Sequence, residues 1–244
     1  ANLNIPLLPG RACAAEGVYA DFYVGGPSDP AGYACAAGGP DPLLIVVAAS
    51  AGSNLLDTSA GESLGLIDII NALQPAAHSE GIATSLMLST SAIDGAEMPQ
   101  TNMERWLAEQ VRRRLEALPC LRAVIFGHSH GGATVTSVTA ALDEAYGDRM
   151  LGVLIDRTVA LYDRPAREIP ARTRVLNFYQ LNEGWHGWPL ALDNVSDIDR
   201  SADLAPIAPS DGGGGPAPVS HKTLDDSPYV QEAAVALVVR WATK

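Results

Sequence analysis

Residues 121 to 137 read L-R-A-V-I-F-G-H-S-H-G-G-A-T-V-T-S, and they constrain the fold more than any other stretch. The apolar run from Ala123 to Phe126 has the length and composition of a fully buried strand. Ala133, Val135, Val138 and Leu142 then recur at roughly helical spacing. Between them, Gly127-His128-Ser129-His130-Gly131-Gly132 must turn the chain from strand to helix within a few residues. A turn this sharp forces its central residue into a strained backbone conformation and leaves little room for neighbouring side chains. Glycines stand two residues either side of Ser129, and Gly132 lets the new helix pack close to the strand. The Ser129 hydroxyl is pushed into the open, in front of a helix start. Unpaired N–H groups and a positive dipole end there suit a developing oxyanion. A phosphate-cradling loop is not indicated, because no lysine follows the glycines at the required spacing.

The G-H-S-H-G-G turn, set between strand and helix, resembles the nucleophile elbow of the α/β-hydrolase superfamily, in particular that of bacterial lipases and esterases. The resemblance is specific over about residues 120 to 140 and looser around 43–53, 158–165 and 219–238. It implies a mostly parallel sheet with helices on both faces, and cleavage of carboxylic esters through an acyl-enzyme on Ser129. It also implies a chain order of serine, acid, histidine. His221, in a loop just before the last predicted helix, is the expected base, with His186 in G-W-H-G-W as the alternative. For the acid, Asp163 ends T-V-A-L-Y-D and resembles the L-D-P of lipases. Glu183 after the next strand is the alternative, and Asp156 lies earlier in the same segment as Asp163. The oxyanion hole is expected to use the backbone N–H of His130. A second N–H comes from the turn after the Leu43-to-Ala49 strand, with Ser50 preferred over Ala51. Similar lipases carry His-Gly in that turn; this chain has Ala48-Ala49-Ser50-Ala51-Gly52.

The remaining elements fit that order. Strands are predicted over Val18 to Val24, Leu43 to Ala49, Ile82 to Ser89, Arg122 to Phe126, within Leu151 to Tyr162, and over Arg174 to Tyr179. Helices are predicted over about 61–79, 101–118, up to about 146 after the elbow, and 227–242. In the second of these, Met103, Leu107, Val111, Leu115 and Leu118 form one face, with Arg105, Glu109, Arg112, Arg113 and Glu116 opposite. Residues 182 to 220 read as mostly irregular. Alternation of continuous apolar strands with helices is the pattern of a parallel sheet covered on both sides. No linker divides the 244 residues, so one domain is expected, with residues 1–42 as an arm and a first strand.

The formal net charge of −12 argues against nucleic acid and polyanionic substrates, and permits neutral or lipid esters. No stretch approaches the roughly 18 consecutive apolar residues of a membrane span. The chain begins Ala1-Asn2-Leu3, which reads as a mature end after signal-peptide removal. Cys13 and Cys35 flank a Gly/Pro-rich segment, so a bridge between them is expected, leaving Cys120 as a buried thiol; Cys120 as the bridging partner is the other pairing. A bridge places the chain in a secreted or periplasmic setting. No cofactor is called for, although the aspartates between 193 and 203 could hold a structural calcium. A thioesterase, phospholipase or peptidase would share the same elbow, and a non-catalytic binding protein could retain it.

Overall fold

The computed structural model describes residues 19–23, 35, 39–48, 65–91, 100–158, 169–182, 186–205 and 217–244. Strand β1 is Tyr19–Tyr23, β2 Leu43–Ala48, β3 Thr84–Ser91, β4 Arg122–His128, β5 Met150–Ile155, β6 Arg174–Tyr179 and β7 Val195–Asp199. Helix α1 is Gly65–Ser79, α2 Gln100–Ala117, α3 His130–Tyr146 and α4 Pro228–Ala242. The seven strands form one sheet in the order β1-β3-β2-β4-β5-β6-β7. Strand β1 is antiparallel to β3, and the other neighbours run parallel. A short antiparallel pair, β8 (Leu204–Ala205) and β9 (Ala217–Pro218), lies apart from it.

The continuous apolar strands are explained by burial on both faces. In β2, Leu43, Ile45 and Val47 join a core with α1 and α4, including Ile70, Leu73, Val230 and Val238. Leu44, Val46 and Ala48 point the other way, into a core with Leu107, Val111 and Leu115 of α2 and Val135 and Val138 of α3. Each helix therefore spends its apolar stripe on one sheet face. The charged side of α2 stays outside, where Arg112 pairs with Glu109 and Glu116.

The sequence-predicted elements recur with shifted ends. Strand β7 was expected to be irregular. Its V-S-D-I-D is half-exposed at the sheet edge and carries no apolar run, so only its pairing with β6 makes it a strand. The chain order reverses between β2 and β4: β3 lies on one side of β2, and the later strands lie on the other. In open α/β sheets, ligands bind outside the carboxyl ends of the strands at such a switch point. Ser129 follows β4 there.

The disulfide corrects the predicted pairing. Cys35 is bridged to Cys120, with Cα atoms 5.8 Å apart, while Cys13 lies outside the described residues. The sheet explains the choice. Cys35 precedes β2 and Cys120 precedes β4, and these neighbours enter the sheet together, with Leu43 paired to Arg122. Cys120 is therefore a bridging half-cystine and not a buried thiol. The bridge sits at the amino ends of these strands, opposite Ser129. Its sequence separation of 85 makes reduction cost up to about 4–5 kcal/mol by the loop-entropy argument. Denaturant unfolding with and without a thiol reductant should show that loss as a lower midpoint. An unchanged midpoint would contradict it. Among the described residues, no helix is long and apolar enough to cross a membrane.

Candidate active site

The elbow forms because its neighbours have no side chains. Ser129 has φ 54° and ψ −122°, a combination that L-residues other than glycine rarely adopt. A Cβ on Gly127 would sit 2.3 Å from the Gly131 carbonyl carbon and oxygen, so it is the bare Gly127 that lets strand and helix touch. The Gly132 N–H closes the turn on the Ser129 carbonyl at 3.0 Å, and the Ser129 N–H reaches the Ile155 carbonyl at 3.0 Å. The elbow is thereby pinned to β5. His130, the predicted oxyanion donor, is the first residue of α3.

Three side chains from three segments converge here. His221 Nε2 lies 2.8 Å from Ser129 Oγ, and His221 Nδ1 lies 2.8 Å from Asp156 Oδ2. Asp156 directly follows β5, and His221 opens the turn before α4. A set of turn bonds holds that loop: the N–H groups of Thr223 and Leu224 donate to the Ser220 carbonyl. His128 adds a further link. Its Nε2 donates to the His221 carbonyl at 2.7 Å, and the two imidazoles stack with centroids 5.1 Å apart. His128, the last residue of β4, thus ties the His221 backbone to the strand that leads into Ser129.

The carboxylate beside His221 is the third one the sequence offered, Asp156. Asp163 and Glu183 lie outside the described residues, and the carboxylate on His221 Nδ1 is that of Asp156. The physical reason is strand register. Strand β5 begins at Met150 against Ala123 and ends at Ile155 against His128, so the next residue, Asp156, comes level with Ser129. Counting a six-residue strand from Met150 would have found it.

Asp156 is fully buried and has φ 45°. Oδ1 accepts the Gly187 N–H at 2.5 Å, and Oδ2 accepts Gln180 Nε2 at 3.0 Å in addition to His221. A Cβ on Gly187 would come 3.0 Å from that Oδ1, which explains the glycine in W-H-G-W. Burial alone would push the Asp156 carboxyl up, but hydrogen bonds from His221, Gln180 and Gly187, with the His221 charge, together hold it below the usual carboxylate value. A depressed carboxyl stabilises the fold above its unfolded-state pKa of about 3.9. That contribution is lost as pH falls through the lower native value.

The other predicted residues have other partners. His186 donates Nδ1–H to the Gly187 carbonyl and packs against Trp188, so the imidazole on Ser129 is that of His221. Ser50 lies outside the described residues. Asp197 accepts the N–H groups of Leu190 and Ala191 and the Asn177 amide, while Asp203 takes Arg200 and Ser227. Among the described residues, no group of three or more His, Cys, Asp or Glu is placed to hold a metal. Sequence reasoning also missed Thr158, whose Oγ1 lies 3.3 Å from Ser129 Oγ.

No protein-family model matches the chain, and no curated protein does. Solved structures do. A serine hydrolase without a lid from Xanthomonas campestris superposes with TM-score 0.51 at 15% identity, over 91% of this chain and 89% of its own. Est1E from Butyrivibrio proteoclasticus gives 0.55 at 10% identity, over 93% and 95%. This chain has the α/β-hydrolase fold. A cutinase-like protein from a Cryptococcus species matches this hydrolase-fold chain with TM-score 0.50 at 13% identity, over 83% and 95%. Those neighbours share the architecture on which the Ser129, His221 and Asp156 convergence sits.

The His128 link can be tested by itself. His128→Leu keeps bulk but loses the donor, and should lower kcat on an activated ester by roughly tenfold or more, with little change in KM. His128→Gln, whose amide nitrogen can reach the same carbonyl, should recover most of it. Equal losses in both variants would reduce His128 to a packing residue.

Proposed function

We propose that this chain is a serine hydrolase that cleaves carboxylic esters through an acyl-enzyme on Ser129. The observation that carries this reading is the unbroken hydrogen-bond chain from Ser129 Oγ through His221 to Asp156. A serine hydroxyl alone is a poor nucleophile, and a base oriented by a carboxylate is what activates it.

His221 Nε2 takes the Ser129 proton as Oγ attacks the ester carbonyl. Asp156 keeps the proton on Nδ1, so that Nε2 is the acceptor, and stabilises the imidazolium that forms. The backbone N–H of His130 and one from the segment after β2, with Ser50 the preferred donor, hold the oxyanion. The imidazolium gives its proton to the departing alcohol. Water then enters, loses a proton to His221 and attacks the acyl-enzyme. The collapsing intermediate frees the acid and returns the proton to Ser129 Oγ.

Esterase activity in the neighbours fits the name Est1E and the cutinase-like description, each said of that protein. A thioesterase, phospholipase or peptidase would use the same three residues, so the leaving group has to be decided by substrates. Matched oxygen-ester, thioester and amide panels, with chain length graded, make that comparison. Turnover of esters over amides by several orders of magnitude supports the proposal. A preference for thioesters or amides would replace it. The disulfide supports a secreted or periplasmic location.

A further inference from the structure

Thr158 touches Ser129 through both its backbone and its side chain. Its N–H donates to the Ser129 carbonyl at 3.3 Å, and its Oγ1 lies 3.3 Å from Ser129 Oγ. The Ser129 N–H in turn donates to the Ile155 carbonyl at 3.0 Å. The chain leaving β5 therefore grips both backbone groups of Ser129 and lays the buried Thr158 hydroxyl against Oγ. The buried threonines of α3 are different: Thr136 and Thr139 spend their hydroxyls on carbonyls of their own helix.

Proton counting fixes the direction of the contact. Asp156 Oδ2 is an acceptor, so His221 Nδ1 carries the proton between them and Nε2 carries a lone pair. The single hydroxyl proton of Ser129 then points to Nε2, 2.8 Å away. Towards Thr158, Ser129 Oγ has only a lone pair left to offer, so the threonine is the donor. At 3.3 Å this is a long O–H···O bond, worth little at rest. Such a bond shortens and strengthens where negative charge builds on its acceptor.

That charge builds on Oγ when the acyl-enzyme breaks down. In the acyl-enzyme Oγ is the bridging oxygen of an ester, and its lone pair is drawn into the carbonyl, so it accepts poorly. After water has attacked, the C–Oγ bond breaks, its electron pair stays on Oγ, and His221 Nε2–H delivers the proton. A donor on Oγ gains strength along that step and lowers its barrier. Acylation gains less, because the resting hydroxyl oxygen already accepts the same bond. Strand β5, which leads into Thr158, flanks β4 on the side opposite β2. The contact is therefore separate from the oxyanion donor proposed in the segment after β2.

We propose that Thr158 is a catalytic residue for the second half of the cycle: its hydroxyl donates to Ser129 Oγ as that oxygen leaves the acyl group. Thr158 keeps its own proton throughout. This deepens the esterase reading and rests on it.

Stopped-flow turnover of 2,4-dinitrophenyl acetate, with intact mass of acid-quenched samples, separates the two halves. The dinitrophenolate leaves so readily that acylation is fast. Thr158→Val keeps the shape and removes the donor. Its deacylation constant should fall roughly tenfold, while its acylation constant stays within about threefold of the parent. KM then falls with kcat, kcat/KM holds, and the quenched protein carries an acetyl group on Ser129. Thr158→Ser should restore deacylation. A variant that had only lost packing would lower kcat/KM and accumulate no adduct. If Thr158→Val does not fold, Thr158→Ala is set against Thr158→Ser, with the same split expected. Equal losses in both constants, no acetyl adduct in the variant without a donor, or a serine variant as slow as the valine one would overturn the proposal. A parent protein that neither hydrolyses the ester nor takes a fluorophosphonate on Ser129 overturns the esterase reading, and the role of Thr158 with it. Parent turnover without the split overturns the role of Thr158 alone.

Discussion

Asp156→Asn should lower kcat on an activated ester by about 10⁴-fold while leaving the protein folded. The hydrogen-bond inventory shows why so small a change is so damaging. Asp156 accepts from Gly187 on one oxygen and from Gln180 and His221 on the other. An asparagine has one oxygen to offer. If that oxygen faces Gly187, the amide NH2 faces His221 Nδ1 and forces the tautomer with the proton on Nε2. That imidazole cannot accept the Ser129 proton. If the amide is flipped, its NH2 meets the Gly187 N–H, and the loop that carries W-H-G-W must move. Either way the base is lost or misplaced. Rates measured beside circular dichroism and a melt separate this from unfolding. A loss of the same size in Asp163→Asn, with Asp156→Asn active, would mean that the hydrogen bond to Asp156 does not serve catalysis.

Ser129→Ala should remove about 10⁶-fold in kcat, down to what the oxyanion donors and binding alone supply. A companion variant isolates the cost of the elbow. At φ 54° and ψ −122° the backbone occupies a glycine-favouring region. Alanine keeps that strain and glycine relieves it. Ser129→Gly should be as inactive as Ser129→Ala and yet more stable by about 1 kcal/mol, after its own unfolded-state entropy is subtracted. Denaturant midpoints of the two variants make the comparison. A less stable glycine variant would show that the turn is not strained in the sense used here.

The parts of the site that follow from local chemistry were legible in the sequence. Gly127 and Gly131 announce the elbow, and at Gly127 only glycine fits where strand and helix touch. His221 is legible because few histidines follow Ser129, and one of them precedes the last helix. The carboxylate that meets His221 was not legible, because the strand's end was not. Leu151 to Tyr162 contains two apolar runs, and propensity cannot say where pairing stops. The register against β4 stops it at Ile155 and makes Asp156 the residue level with Ser129. The disulfide was hidden for a related reason. Cys35 and Cys120 are 85 residues apart and meet only because β2 and β4 are sheet neighbours. Strand β7 has too little apolar character to stand out before β6 pairs with it. His128 was read as part of the turn alone, and its bond to the His221 carbonyl needs the folded loop.

The most direct measurement is labelling with a fluorophosphonate, read by intact mass and peptide mapping, on native and denatured protein. A reagent of this kind reacts with a serine that has both an assembled base and oxyanion donors. The expected result is a single adduct on Ser129 that forms only in the native protein and is lost in Asp156→Asn. A well-folded sample with no adduct, or an adduct on another serine, would contradict the assignment of Ser129, His221 and Asp156 as the working triad.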